Sequence, residues 1–187
     1  MEELYKKTLD RLKAELKKQL PEIEANGDWL WHHPEAGFKE TETQKYCLEV
    51  LKNHGFEACT WPDVTGFTCT YDTGRPGPCV MIMGEMDSLI CYSHPDCNPE
   101  TGAAHACGHS IQVATAMGAF ITLTESGVLE NFGGKVMLAG VPAEECLEIE
   151  WRTREIQKGR LHYLCGKAEL LYRGAFDGVD IVISMHA

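Results

Sequence analysis

The chain has 187 residues, of which 44% are apolar, and it carries 17 Lys+Arg against 28 Asp+Glu for a formal charge of −11. That length and apolar content suffice for one ordinary domain with a real core. The negative charge repels phosphate backbones and anionic membrane surfaces, so nucleic acid and membranes are excluded as expected partners.

Residues 2–31 place leucines among charged positions at helical spacing and predict one or two amphipathic helices, with Pro21 and Gly27 as interruptions. Glu40 to His54 sets Cys47, Val50 and Leu51 on one face of a second helix, with Gly55 as its C-terminal stop. Two short β-prone segments follow, Phe56 to Trp61 and Gly66 to Tyr71, and then a Gly/Pro turn leads into the apolar run Cys79 to Met83. Asp87 to Gly108 lacks periodicity and reads as a long loop, a class of segment that often carries function. Ile111 to Ser126 predicts a helix poor in charge, and Gly134 to Val141 a buried strand. A charged segment, Glu148 to Lys158, and a helix-like stretch, Lys167 to Tyr172, precede a last buried strand from Val179 to Met185. The alternation of strand and helix points to an α/β sandwich.

No apolar core of a signal peptide opens the sequence, and no run approaches the ~20 apolar residues of a membrane span. A cytoplasmic location is therefore expected. The nine cysteines are odd in number, and in a reducing compartment most serve as small core residues. Cys107 differs, because it sits in His105-Ala-Cys-Gly-His109 among other metal-ligand residue types. A thiolate and an imidazole two residues apart suit zinc and related ions, and Gly108 between them permits a tight turn. Core packing is the plain alternative for an isolated Cys-x-His.

Three strand ends add to this. Pro142-Ala-Glu-Glu145 follows the strand ending at Val141, and adjacent carboxylates there point in different directions, so one can bind metal while the other faces substrate. An acidic helix N-terminus would explain the same pair. His186 ends the last strand, where open α/β sheets form their sites, although it could simply cap that strand. Asp87 closes Gly84-Glu-Met-Asp and could orient a metal-bound histidine or begin a turn.

In order, His33-Pro34-Glu35 with Gly37-Phe38 and Glu40-Thr41, Met86-Asp87, His-Ala-Cys-Gly-His, Pro-Ala-Glu-Glu and Gly174-Ala-Phe-Asp-Gly-Val-Asp180 leading to His186 resemble one family. It is the amidohydrolase branch of the group that contains aminoacylases, hippurate hydrolases and aminobenzoyl-glutamate hydrolases. The resemblance implies a three-layer α/β/α, zinc-peptidase-like catalytic domain with a central, largely parallel sheet, of which residues 1–187 are the N-terminal part. It further implies Cys107, His109, Glu145 and His186 as ligands of two divalent ions, zinc or manganese, with Glu144 as general base and Asp87 in support. The expected substrates are small N-acyl amino acids or dipeptides. A lid domain that commonly dimerises and a further histidine ligand are expected beyond Ala187, so the chain by itself should be a weak catalyst.

Three departures from the pattern stand out. Ser110 replaces the usual Asp, Glu85 a small residue or Asp, and Cys-Leu-Glu-Ile-Glu follows the paired glutamates where glycines are usual. Two other readings stay open: a non-catalytic metal- or peptide-binding module, and a Cys107 nucleophile paired with His105 or His109.

Overall fold

Apolar residues that alternate along two neighbouring strands build two cores, one on each face of a sheet. In the computed structural model, which describes residues 2–186, these strands are β3 (Cys79–Glu85) and β6 (Lys135–Val141). Val136, Leu138 and Ile82 face one core, while Met137, Ala139, Val141, Met81 and Met83 face the other. The first core is covered by α1 (Glu2–His32), α2 (Thr41–Asn53) and α3 (His109–Glu125). On the second, Leu170 of α5 (Gly166–Tyr172) packs against Met81 and Val141.

The sheet is mixed and mostly parallel, as expected. With β1 (Ala58–Thr60), β2 (Phe67–Asp72) and β7 (Ile181–Ser184), its order is β1-β2-β6-β3-β7. β6, β3 and β7 run parallel, and β1 and β2 form an antiparallel margin. The carboxyl ends of all three parallel strands therefore open on one edge of the sheet. They lead directly into Asp87, Glu144-Glu145 and His186.

Several local expectations change. α1 runs unbroken through Pro21 and Gly27 because Pro21 lies on the exposed side, where a lost backbone hydrogen bond is replaced by water. The long loop holds a small ladder, β4 (Leu89–Ile90) against β5 (Ala103–Ala104), and the charged segment forms α4 (Ile149–Gln157). The last strand is not buried. At the sheet edge among the described residues, it bonds to β3, and Ile181, Val182 and Ile183 are about half exposed, at 50%, 45% and 51%. Gly55 does end α2 as expected, with φ +80 and its N–H bonded to the Lys52 carbonyl at 2.9 Å. Among the described residues, no helix is long and apolar enough to cross a membrane.

His54 ties the three helices of the first face together, its Nδ1 2.6 Å from Glu125 and its Nε2 3.0 Å from Glu22. Burial lowers its pKa, but the two carboxylates outweigh that and hold it above the ordinary histidine value. A histidine pKa raised by folding gives stability that is fully present below the unfolded value, ~6.5, and lost as pH rises through the folded value. In urea unfolding, His54→Gln should thus be less stable than the parent at pH 6, and the gap should narrow as pH becomes alkaline.

Candidate metal centre

Asp87 follows the end of β3 and has no exposed surface. The strand reaches this point only by lying close on α3, since a Cβ on Gly84 would stand 2.8 Å from Val113 Cα. On the facing side, Gly108 adopts φ +95 at the start of α3, a left-handed conformation that favours glycine. The turn delivers Cys107 and His109 to the same edge of the sheet.

His109 is 1% exposed, and its Nδ1 lies 2.9 Å from the backbone oxygen of Asp87. A carbonyl only accepts, so Nδ1 carries the proton and Nε2 is the nitrogen left for a ligand role. That Nε2 is buried without a hydrogen-bond partner. His186 reaches the same place from β7, its Nε2 3.5 Å from Cys107 Sγ and its ring 5.4 Å from that of His109. The donor atoms of Cys107, His109 and His186 all lie within 4.8 Å of one another.

The paired glutamates diverge. Glu145 lies beside Cys107, and its carboxylate is the main cause that pushes the thiol up to about 11, with burial second. Its backbone N–H donates to Asp87 Oδ2 at 2.9 Å. Glu144 turns toward His109, its Oε2 4.0 Å from Nε2, and its Oε1 lies 3.3 Å from Lys167 Nζ. Lys167 also pairs with Glu85, whose second oxygen lies 3.2 Å from His109 Nε2. Burial alone would raise Glu85, yet the His109 imidazole and the Lys167 ammonium facing its two oxygens bring it down to about 2. Burial likewise opposes charge on His109, but Asp87 and Glu85 together lift it to about 10.

The upstream motif supports this edge from beneath. Glu35 accepts the backbone N–H groups of Glu42 and Thr43 at the start of α2, at 3.2 and 2.8 Å. Glu40, fully buried, accepts the N–H of Ala143 at 2.8 Å and the hydroxyl of Thr65. Ala143 immediately precedes the paired glutamates and holds φ +49, a strained conformation for a residue with a side chain. Its carbonyl accepts from Gly166 at 3.0 Å, so the strained unit is clamped on both sides.

All six residues singled out from the sequence, Asp87, Cys107, His109, Glu144, Glu145 and His186, thus meet at one edge. His94 and His105 join neither cluster of ligand atoms among the described residues. His94 lies against Trp31 in the long loop, and His105 is buried, with its pKa held down to about 4 by burial and by His109. Ser110 is buried with no hydrogen-bond partner for its hydroxyl among the described residues. Sequence reasoning missed Lys167 and the structural part played by Glu40. A lysine one residue inside a short helix carries no spacing signal, and Glu40 was visible only as part of a motif.

No protein-family model matches the chain. It is 26% identical over 183 residues to an N-acyl-L-amino acid amidohydrolase of Geobacillus stearothermophilus, covering 93% of this chain and 44% of that protein. It is 27% identical over 174 residues to an N-acetyl-L-cysteine deacetylase of Bacillus subtilis, covering 91% of this chain and 36% of the other. Among solved structures, a dinuclear metal-binding peptidase of the M20 family from Bacillus subtilis superposes with a TM-score of 0.70 at 25% identity. That match covers 93% of this chain and 44% of the other. The chain spans less than half the length of these relatives.

Glu40→Ala strips the acceptor from the Ala143 N–H and leaves that buried group unpaired, at a cost of ~1–3 kcal/mol. Chemical denaturation should show this loss. Glu40→Gln, which retains an acceptor oxygen, should recover most of it.

Proposed function

Because this chain is homologous to amidohydrolases and peptidases of the M20 family, we propose that residues 1–187 form the metal-binding part of a catalytic domain. The reaction is hydrolysis of the amide bond in N-acyl or aminoacyl amino acids. The observation that carries this reading is the convergence of Cys107, His109 and His186, with Glu145 beside them. The three donor atoms lie within 4.8 Å of one another and His109 presents Nε2 to them, its Nδ1 being taken by the Asp87 carbonyl, so the residues fit a metal that displaces the Nε2 proton. Thiolate and imidazole suit zinc, and the surrounding carboxylates also accommodate manganese.

In this reading Cys107, His109, Glu145 and His186 hold two divalent ions. When bound, these supply Lewis-acid activation of water and of the scissile carbonyl. Asp87 fixes the His109 ring through its carbonyl and the Glu145 turn through its carboxylate. Glu144, partly exposed and set between His109 and Lys167, takes a proton from the attacking water and returns it to the leaving amine. A Cys107 nucleophile fits less well, since activated thiols have depressed pKa values and this one is raised. All nine cysteines are free thiols, in keeping with a reducing cytoplasm.

Glu144→Gln should lower turnover of an N-acyl amino acid by ~10²–10⁴-fold while leaving the metal content near that of the parent. Hydrolysis of a panel of such substrates, with metal analysis of the same samples, checks both halves of the statement. A variant that lost metal and retained its rate would exchange the roles given to the two glutamates.

Cys107→Ala and His109→Ala should each weaken metal binding. Without metal both groups hold their protons at pH 7, because their pKa values stand at about 11 and about 10. Metal uptake must displace those protons, so affinity should rise with pH and titration in weak buffer should release acid. Unchanged stoichiometry in both variants, measured by elemental analysis, would remove the site.

A further inference from the structure

We propose that Glu85 is a metal ligand of this site, paired with the Nε2 of His109 and held in place by Lys167. The proposal rests on the metal-hydrolase reading above and deepens it by adding a donor from within this chain.

Glu85 is the last residue of β3 and is 3% exposed. A carboxylate so buried has lost its water and needs cationic or hydrogen-bonding partners on both oxygens. Lys167 meets one oxygen. The other faces His109 Nε2 at 3.2 Å, outside hydrogen-bonding alignment, and Glu144 Oε2 lies 4.0 Å from the same nitrogen. A buried carboxylate and an imidazole nitrogen turned toward each other at this distance are what a shared cation requires once it displaces the imidazole proton. Glu144 Oε2 completes the cluster, and the donor atoms of Glu85, His109 and Glu144 lie within 4.8 Å of one another.

The surroundings fix Glu85 rather than leave it to swing. Its backbone N–H donates to Gln112 Oε1 at 3.4 Å, and Gln112 in turn donates to Ser184 of β7 at 3.1 Å. Gln112 thereby links strand, helix and edge strand directly below the ligand atoms. Lys167 is a positioning residue, spanning Glu85 and Glu144 so that the first is presented to His109 while the second remains 4.0 Å from the same nitrogen. This division leaves Glu144 free to handle protons. It also gives a physical meaning to the departure at position 85, where a short side chain could not reach the imidazole.

The competing account is that Glu85 only forms ion pairs with Lys167 and a protonated His109. Glu85→Gln separates the two, since it preserves shape and removes the charged donor. The 187-residue chain would be titrated with Zn²⁺ against a chromophoric chelator, and its Co²⁺ form recorded in the visible range. A ligand role predicts that Glu85→Gln weakens binding by at least ~10–100-fold, the loss seen even for groups one step removed from a metal, and alters the Co²⁺ spectrum. Lys167→Met should retain the stoichiometry and weaken binding by less than Glu85→Gln does, since it loosens the donor without removing it. Should Glu85→Gln fail to fold by circular dichroism, Glu85→Asp, which keeps the charge but withdraws it by one methylene, should fold and still bind more weakly. Parent-like affinity and spectrum in the folded Glu85 variant would overturn the proposal while leaving the metal site intact. A parent protein that binds no metal would instead overturn the metal-hydrolase reading, and this one with it.

Discussion

The buried carboxylate of Asp87 holds the site together. Its residue supplies a backbone oxygen to the imidazole of His109 and a carboxylate oxygen to the backbone of Glu145, both at 2.9 Å. One residue with no exposed surface thereby sets the relation between the end of β3, the first turn of α3 and the turn after β6. Hydrogen bonds to an ionised group in a dry environment are stronger than neutral ones, and their geometry is correspondingly strict. Candidate ligands drawn from three distant segments need such a cross-tie, because loops alone would leave the donors free to drift.

Electrostatics adds a second constraint. Glu85, Asp87, Glu144 and Glu145 approach one another around Lys167 and His109. Like charges this close repel unless cations separate them. The protein answers by raising the proton affinity of His109 to about 10 and by driving Glu40, buried and next to Asp87, up to about 8. Glu40 can then hold a proton and lie beneath the site without adding to its charge. The same crowding favours a divalent cation over empty water.

Strain is concentrated where this charge must be aimed. Ala143 at φ +49 orients the paired glutamates, and Glu40 and Gly166 hold it there. Such a residue costs on the order of 1–3 kcal/mol, which the surrounding hydrogen bonds offset. The Glu35 contacts at the start of α2 serve the same end indirectly, since α2 begins one residue after Glu40. The motif from His33 to Thr41 thus contributes scaffold rather than chemistry.

What the sequence alone determined was local in origin. Helical periodicity placed α2 and α3, apolar runs placed β3 and β6, and the glycines at 55 and 108 marked where the chain had to turn. The candidate ligands could be recognised because Cys-x-His, Glu-Glu and a strand-terminal histidine are short patterns of suitable donors. Only the tertiary structure decided that they meet, since Cys107 and His186 are 79 residues apart and approach through parallel pairing of β7 with β3. It alone set the pKa values, which depend on burial and on carboxylates from other segments. Glu85 and Lys167 belong to the same class. Lys167 is an ordinary charged residue in the sequence and Glu85 stood out only as a departure from a pattern, and only the parallel sheet, which brings α5 against the ends of β3 and β6, puts them beside His109.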